Sequence, residues 1–410
     1  MVDIDGSRGR YRDALRIAEF RAVFGALSLS IAGTSVTAVA LTVLIYQRTS
    51  SPFLSSLTFA LGFLPYLIGG TLLSAVVDRI PGRKLLTGCA LGSAVLVTAM
   101  AWPAAPIPVL LALLFATGAL TGVSTGSRAG LVRSIVPEIV YIPARSVLRI
   151  ASQIAQIAGN AAGGALLLVV APHQAMLVNT GTFLAAAALT RFGLRTLPII
   201  AVTERASLVQ DSIAGVHAVF AVVELRRLLL LGWFVPTFAV APEALAAPYV
   251  EGRGGSVALV GCWLVALPIG MIAGDLVGVW FLSLARQRRS VAPLAAATFV
   301  PLIAFAFHPP IVGALALLVL SGLCASYSLG LDQCVRDAAP HDLFARAMAI
   351  STAGLMTLQG LGFAIAGGVA QATGPSLAIA LAGVCGLLAV ALLKPGRKPK
   401  RLDSQRSVVR

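Results

Sequence analysis

The sequence predicts an all-α, polytopic membrane protein whose twelve transmembrane helices form two six-helix bundles, and three observations carry that prediction. Of 410 residues, 58% are hydrophobic and only 11% charged, with a mean hydropathy of +0.91, whereas soluble domains carry about a quarter charged residues. Apolar runs long enough to cross roughly 30 Å of hydrocarbon recur along the chain, without the alternation a transmembrane β-barrel needs. Basic residues sort to one side of those runs.

The first run, 22–46, follows a stretch with five arginines. It is longer than a signal-peptide core and lacks a convincing small-residue cleavage site, so it is expected to stay as the first span. The second, 53–77, ends in the charged gap SAVVDRIPGRKLL, which separates it from a short third run, 85–102. The fourth, 109–127, holds Gly118, Gly122 and Gly126 on one helix face, suited to close packing. The fifth, 147–170, carries Gly159, Gly163 and Gly164, and the sixth is 175–193. In the polar segment 194–226, Val209, Ile213, Val216, Phe220 and Val223 make one apolar stripe. Asp211 and Glu224 lie off it and Arg226–Arg227 end it, the pattern of an interfacial helix on the inner leaflet, with a soluble linker helix as the alternative.

The seventh run, 228–250, places Glu243 between Pro242 and Pro248, which suggests a broken helix whose free carbonyls line water. The eighth, 257–284, repeats the glycine ladder at Gly270, Gly274 and Gly278 and contains Asp275. A short ninth run, 291–307, is followed by 311–330, 348–370 and a short twelfth, 376–393, before a basic tail from Lys394. The expected domains are therefore 1–193, a linker 194–226, a second bundle 227–393 and the tail 394–410.

Charge tests this division. With twelve spans both termini share a side, and that side receives 29 of the 31 lysines and arginines, leaving only Arg48 and Arg253 opposite. A missed span would scramble the separation, so both termini are expected in the cytoplasm. The halves also look related. VRSIVPE, then Ala144–Arg145 and Gly163–Gly164, recurs in order as VRDAAPH, Ala345–Arg346 and Gly367–Gly368. Two such repeats would place a cavity between them.

The motif DRIPGRK resembles the loop motif of the major facilitator superfamily, with Ser74 and Pro81 where glycines are usual. The resemblance implies the fold of that superfamily and a conformational latch. In it Asp78 is the anion, Arg79, Arg83 and Lys84 its basic flank, and Arg128 or Arg133 a partner; plain topology charge is the alternative. SRAGLVRSIVPE with ARSVLRIASQIAQIAGNAAGG resembles the bacterial exporter branch that includes siderophore and drug efflux proteins. There the fifth helix carries a Gly-Pro-x-x-Gly-Gly pattern associated with antiporters; here Asn160 replaces the proline.

Charges within a span cost at least a few kcal/mol and face a cavity or a partner. Asp275 and Glu243 are thus the proton-coupling candidates, with Asp275 preferred for its central position and a structural hydrogen bond as the alternative for each. Gln153, Gln156, Asn160, Asn179 and Gln359 suit either a substrate or interhelical bonding. Trp233, Phe234 and Phe238 suit a cavity wall or a lipid face. GVSTG, 122–126, matches a nucleophile pattern that needs a strand-to-helix turn, yet it lies in a helical glycine ladder; no enzymatic activity is expected.

No GxxxxGK[ST] motif is present, and the five cysteines show no CxxC spacing, so neither ATP, a disulfide, a metal nor another cofactor is expected. The net charge of +15 is scattered between spans and does not suggest nucleic acid. The expected function is proton-driven export of a small organic molecule, a drug, siderophore or natural product, by a monomer spanning a bacterial cytoplasmic membrane. Arginine outnumbers lysine 27 to 4, in keeping with GC-rich codons. An importer or facilitator of the same fold, and a membrane scaffold or receptor without transport, are the alternatives.

Overall fold

The computed structural model describes residues 12–64, 80–195, 216–340 and 343–393. Its helices are α1 (Ala18–Thr49), α2 (Pro52–Phe63), α3 (Gly82–Met100), α4 (Ile107–Ile135), α5 (Glu138–Leu166), α6 (Pro172–Gly193) and α7 (Val223–Ala239). After two short pieces, Ala241–Ala244 and Ala246–Glu251, come α8 (Ala258–Phe281), α9 (Val291–Ile303), α10 (Ile311–Cys324), α11 (Tyr327–Ala338), α12 (Phe344–Thr373) and α13 (Pro375–Leu393). Eight rods among the described residues are long and apolar enough to cross a membrane, α10 and α11 counting as one. All described elements are helical, as expected where lipid cannot satisfy an open backbone.

Local chemistry sets the helix starts. Pro52, Pro172 and Pro375 occupy first-turn positions, where a missing N–H is no loss. Ser51 caps α2 by accepting the Leu54 N–H at 3.3 Å. The α1–α2 corner turns at Ser50, whose left-handed φ of 50° ends α1 while its N–H bonds the Tyr46 carbonyl. Arg48 ties that corner to the α3–α4 loop by donating to the carbonyls of Ala105 (2.9 Å) and Pro103 (2.6 Å).

The packing falls into two sets. α1 packs on α5 and α6, and α3 on α4 and α6; α8 packs on α10, α9 on α13, and α7 on α12 and α13. Glycines allow the closest approaches: Gly159 and Gly163 lie on Ala32, Ser35, Val36 and Val39 of α1, and Gly270 and Gly274 on the α10 backbone at Val319 and Leu323. Gly278 faces Leu329. In α4, Gly118 and Gly122 are buried and Gly126 is exposed.

Several helices outlast the apolar runs that announce them. α4 continues to Ile135, so Arg128 and Arg133 are helical; α5 begins at Glu138, nine residues before the expected 147. α11 carries Asp332 and Arg336 on a helix in place of the expected loop. The reason is physical: hydropathy marks where hydrocarbon ends, whereas a helix can extend beyond it with its charges in water. GVSTG lies within α4, without a strand-to-helix turn. α5 runs unbroken through Asn160, with an internal Pro143. Of the linker stripe, Val209 and Ile213 lie outside the described residues. Val219 is fully buried, Phe220 packs on Trp233 at 5.8 Å, and Val216 and Val223 are exposed.

Candidate functional site: the seam between the two helix sets

Among the described residues two pairs of long helices cross between the sets, α2 with α12 and α5 with α8, and the short pieces Ala241–Ala244 and Ala246–Glu251 also reach α1 and α2. Both pairs close tightly at the end away from the arginine-rich helix ends. On the first, Phe363 stacks on Phe59 with centroids 5.2 Å apart and meets Phe63 at 5.4 Å, while Gly367 lies against Ser56 and Phe53. Ser51 Oγ donates to Gln371 Oε1 at 2.8 Å. On the second, the backbones of Gly164 and Gly261 touch, so a Cβ on Gly164 would lie 2.7 Å from the Gly261 Cα.

From that contact the α5–α8 seam widens toward the basic end. Arg149, Gln153, Gln156, Asn160 and Gly164 fall on one stripe of α5, spaced four, three, four and four apart. Their exposure declines in order: Arg149 and Gln153 are exposed, Gln156 is half-buried, Asn160 and Gly164 are buried. Opposite them Gly261 and Leu264 are buried, while Pro268, Met271 and Asp275 are half-buried. The exposure gradient on both faces marks a wedge-shaped gap, sealed at the glycine contact, with amides on its α5 wall and Asp275 on its α8 wall.

Asp275 sits six residues from the end of α8, in its basic-end third and not at its centre. It lies within electrostatic reach of Arg149 and Asp332, and Asp332 also feels Arg336. Glu243 sits where the seventh rod breaks twice, at Val240 and Leu245, and the short piece that holds it packs on α12, α13 and α2. The break expected from Pro242 and Pro248 is present, but the freed Pro242 carbonyl accepts from Trp263 Nε1 at 2.7 Å. No described contact joins Glu243 to Asp275.

Other singled-out residues have partners within their own set. Asn179 donates to Thr37 Oγ1 at 2.8 Å and receives Thr182 Oγ1 at 3.0 Å, tying α6 to α1. Trp233 donates from Nε1 to the Ser351 carbonyl at 2.9 Å and packs on Gly354 of α12. Phe234 and Phe238 stack at 6.4 Å, and Gln359 is half-buried on α12. Asp78 and Arg79 lie outside the described residues. Arg83 and Lys84 open α3, where Gly82 lies on Ser127 and Leu131 of α4 one residue from Arg128; Arg133 is exposed a turn further on.

At the basic end of the second set, Arg288 pairs with Asp337 at 2.6 Å and donates from Nε to Gln333 at 3.3 Å. Gln333 donates to Gln287, whose own amide caps α8 on the Gly278 and Leu282 carbonyls. Arg288, Asp332, Gln333, Arg336 and Asp337 line a cavity of about 320 Å³.

Sequence reasoning misses Arg149 and Asp332. Arg149 reads in sequence as topology charge, although its four-residue spacing from Gln153 puts it on the amide stripe. Asp332 reads as part of a loop because the tenth apolar run ends before it.

This architecture is that of a transporter with two packed helix sets around a seam. The Major Facilitator Superfamily family model matches residues 23–277, more than half of the chain, and the chain belongs to that superfamily. Among solved structures it is similar to a point mutant of the nucleoside transporter NupG (TM-score 0.71, 12% identity, 92% of this chain and 100% of that one). It is also similar to a D-xylose-proton symporter (0.69, 14%, 95% and 99%). A third likeness is to a bacterial homolog of the human lysosomal transporter Spinster in an inward-facing, unoccupied conformation (0.66, 13%, 92% and 95%). These likenesses establish the fold. A comparison with curated protein sequences finds no match.

Proposed function

We propose that this protein is a secondary active exporter of a small organic molecule, driven by protons entering in exchange and working by alternating access. The observation that carries this reading is the wedge between α5 and α8: sealed by touching glycines at one end, lined with amides, and holding Asp275 on its wall. Asp275 is the preferred proton-coupling group and Glu243, at the double break beside α2, the second. Gln153, Gln156, Asn160, Gln359 and Phe238 are the candidate substrate contacts. Asp78 with Arg79, Arg83 and Lys84 as its basic flank, and Arg128 or Arg133 of α4 as partner, form the latch. The bundles comprise 1–193 and 227–393, joined by an interfacial linker, in a monomer with both termini in the cytoplasm of a bacterium.

A proton moving inward across about 100 mV releases about 2.3 kcal/mol, which biases such a cycle without ATP. Export rests on the resemblance of the 127–164 region to efflux proteins. The alternative direction, proton-coupled import, draws on the likeness to a D-xylose-proton symporter. Purification followed by mass spectrometry of co-purified small molecules, then flux of those molecules in proteoliposomes with an imposed pH gradient, tests the reading. Export predicts accumulation against the gradient, abolished in Asp275→Asn with Glu243→Gln. Full gradient-driven flux in that double variant would contradict the assignment, and uptake indifferent to the gradient would favour a facilitator.

A further inference from the structure

The Gly164–Gly261 contact supplies a reference point for the whole α5–α8 seam. From Gly164 back to Arg149 is about 22 Å of helix, and from Gly261 forward to Asp275 is about 21 Å. Both residues share the face of their glycine, since the steps between them follow the three-and-four spacing of a helix surface. Arg149 and Asp275 are therefore level with each other across the widest part of the wedge. Asp332, on α11, lies within electrostatic reach of the same guanidinium. Yet the ion pairs formed within 4 Å between described residues lie inside one helix set: Arg16–Asp13, Arg195–Glu19 and Arg288–Asp337. Opposite charges stand register-matched across a gap, without touching.

We infer that Arg149 of the first bundle closes onto Asp275 and Asp332 of the second when the bundles rock about the Gly164–Gly261 contact, sealing the basic end of the cavity. This extends the proposed alternating-access reading by naming the pair that forms in the opposite conformation. Two carboxylates meet one guanidinium, so protonation of the carboxylates removes the attraction and leaves the basic end open; deprotonation favours closure. The surrounding charges are Arg145, held over the Tyr141 ring on α5, Arg336 on α11, and the Arg288–Asp337 pair with Arg286 beside it. The phenol of Tyr327 is within electrostatic reach of Asp332. The Arg288–Asp337 pair is already satisfied within its own bundle. Arg336 competes with Arg149 for Asp332 alone, so Asp275 is the principal partner.

The test needs no substrate. Spin labels on Ser134→Cys and Arg289→Cys, in full-length protein without its native cysteines and reconstituted in nanodiscs, report the distance across the basic end. Between about pH 5 and about pH 8 the short-distance, closed population is expected to grow. Arg149→Gln and Asp275→Asn should each reduce that population at the higher pH by about tenfold, and Arg149→Lys should retain part of it. The charge swap Arg149→Asp with Asp275→Arg should restore closure, which a purely structural role for either residue would not do. A distribution that does not move with pH in the parent protein, that moves equally in Arg149→Gln, or that the swap fails to recover would overturn the inference. Because the readout is a distance, a parent protein that closes with pH but shows no proton-driven flux would count against the proposed coupling and leave this pair standing.

Discussion

Glu251 ends the seventh rod at the loop-poor end with one carboxylate oxygen buried and unbonded among the described residues, and burial pushes its pKa upward. A raised carboxylate pKa means that the folded state disfavours the ionised form. The cost is absent below the ordinary carboxylate range and is fully present once pH has risen through the raised value. Glu251→Gln is therefore expected to raise the melting temperature of the purified protein at neutral pH, with the gain vanishing in acid; an equal gain at both pH values would show that titration is not the cause. Gly164 offers a contrasting case, since its missing Cβ would lie 2.7 Å from the Gly261 Cα and 2.9 Å from the Ala258 carbonyl. Gly164→Leu should cost about 1–3 kcal/mol through overpacking, read as a lower melting temperature. Gly181→Ala in α6, where nothing lies within 4 Å, should cost nothing.

Among elements, the α2–α12 pair makes a seal that can be trapped. Ser51 and Gln371 are in hydrogen-bond contact across it, so Ser51→Cys with Gln371→Cys, in a background without native cysteines, should cross-link with a short bifunctional thiol reagent that carries a cleavable disulfide. Trapping should stop transport of the co-purified molecule, and reduction should restore it; undiminished flux in the cross-linked protein would mean the seal need not open. The rods themselves are legible from apolar runs because the bilayer imposes both length and composition. Their ends are not: α4, α5 and α11 carry charges past the hydrocarbon, where hydropathy stops reporting helix. The break around Glu243 is visible in Pro242 and Pro248, whereas the use of the freed carbonyl by Trp263 depends on α8 folding back against it, a contact no local pattern encodes. The amide stripe of α5 is partly visible as Gln153, Gln156 and Asn160. That Arg149 belongs to it follows only once the stripe is seen to face α8.

For the whole molecule, two helix sets meet at one end through small residues and stacked rings, and part at the other beside the arginine-rich ends of α4, α5 and α11. With the Gly164–Gly261 contact as the pivot, the ring stack and the Ser51–Gln371 bond are the contacts alternating access has to break and remake, so their strength must be modest. A phenylalanine stack of this kind adds about 0.5–1.5 kcal/mol beyond its buried area, and a hydrogen bond between membrane helices about 0.6 kcal/mol. A seal built from such terms can yield to a proton that carries about 2.3 kcal/mol per 100 mV. Sidedness is what links this shape to vectorial work: the open end beside the basic loops should face the cytoplasm, and the sealed end, with Arg253 exposed near it, the outside. The most direct measurement places single cysteines at Arg253 and at Arg289 in a cysteine-free chain and exposes intact cells to a membrane-impermeant thiol reagent. Arg253→Cys should label from outside and Arg289→Cys only after permeabilisation; labelling of both from the same face would contradict this sidedness.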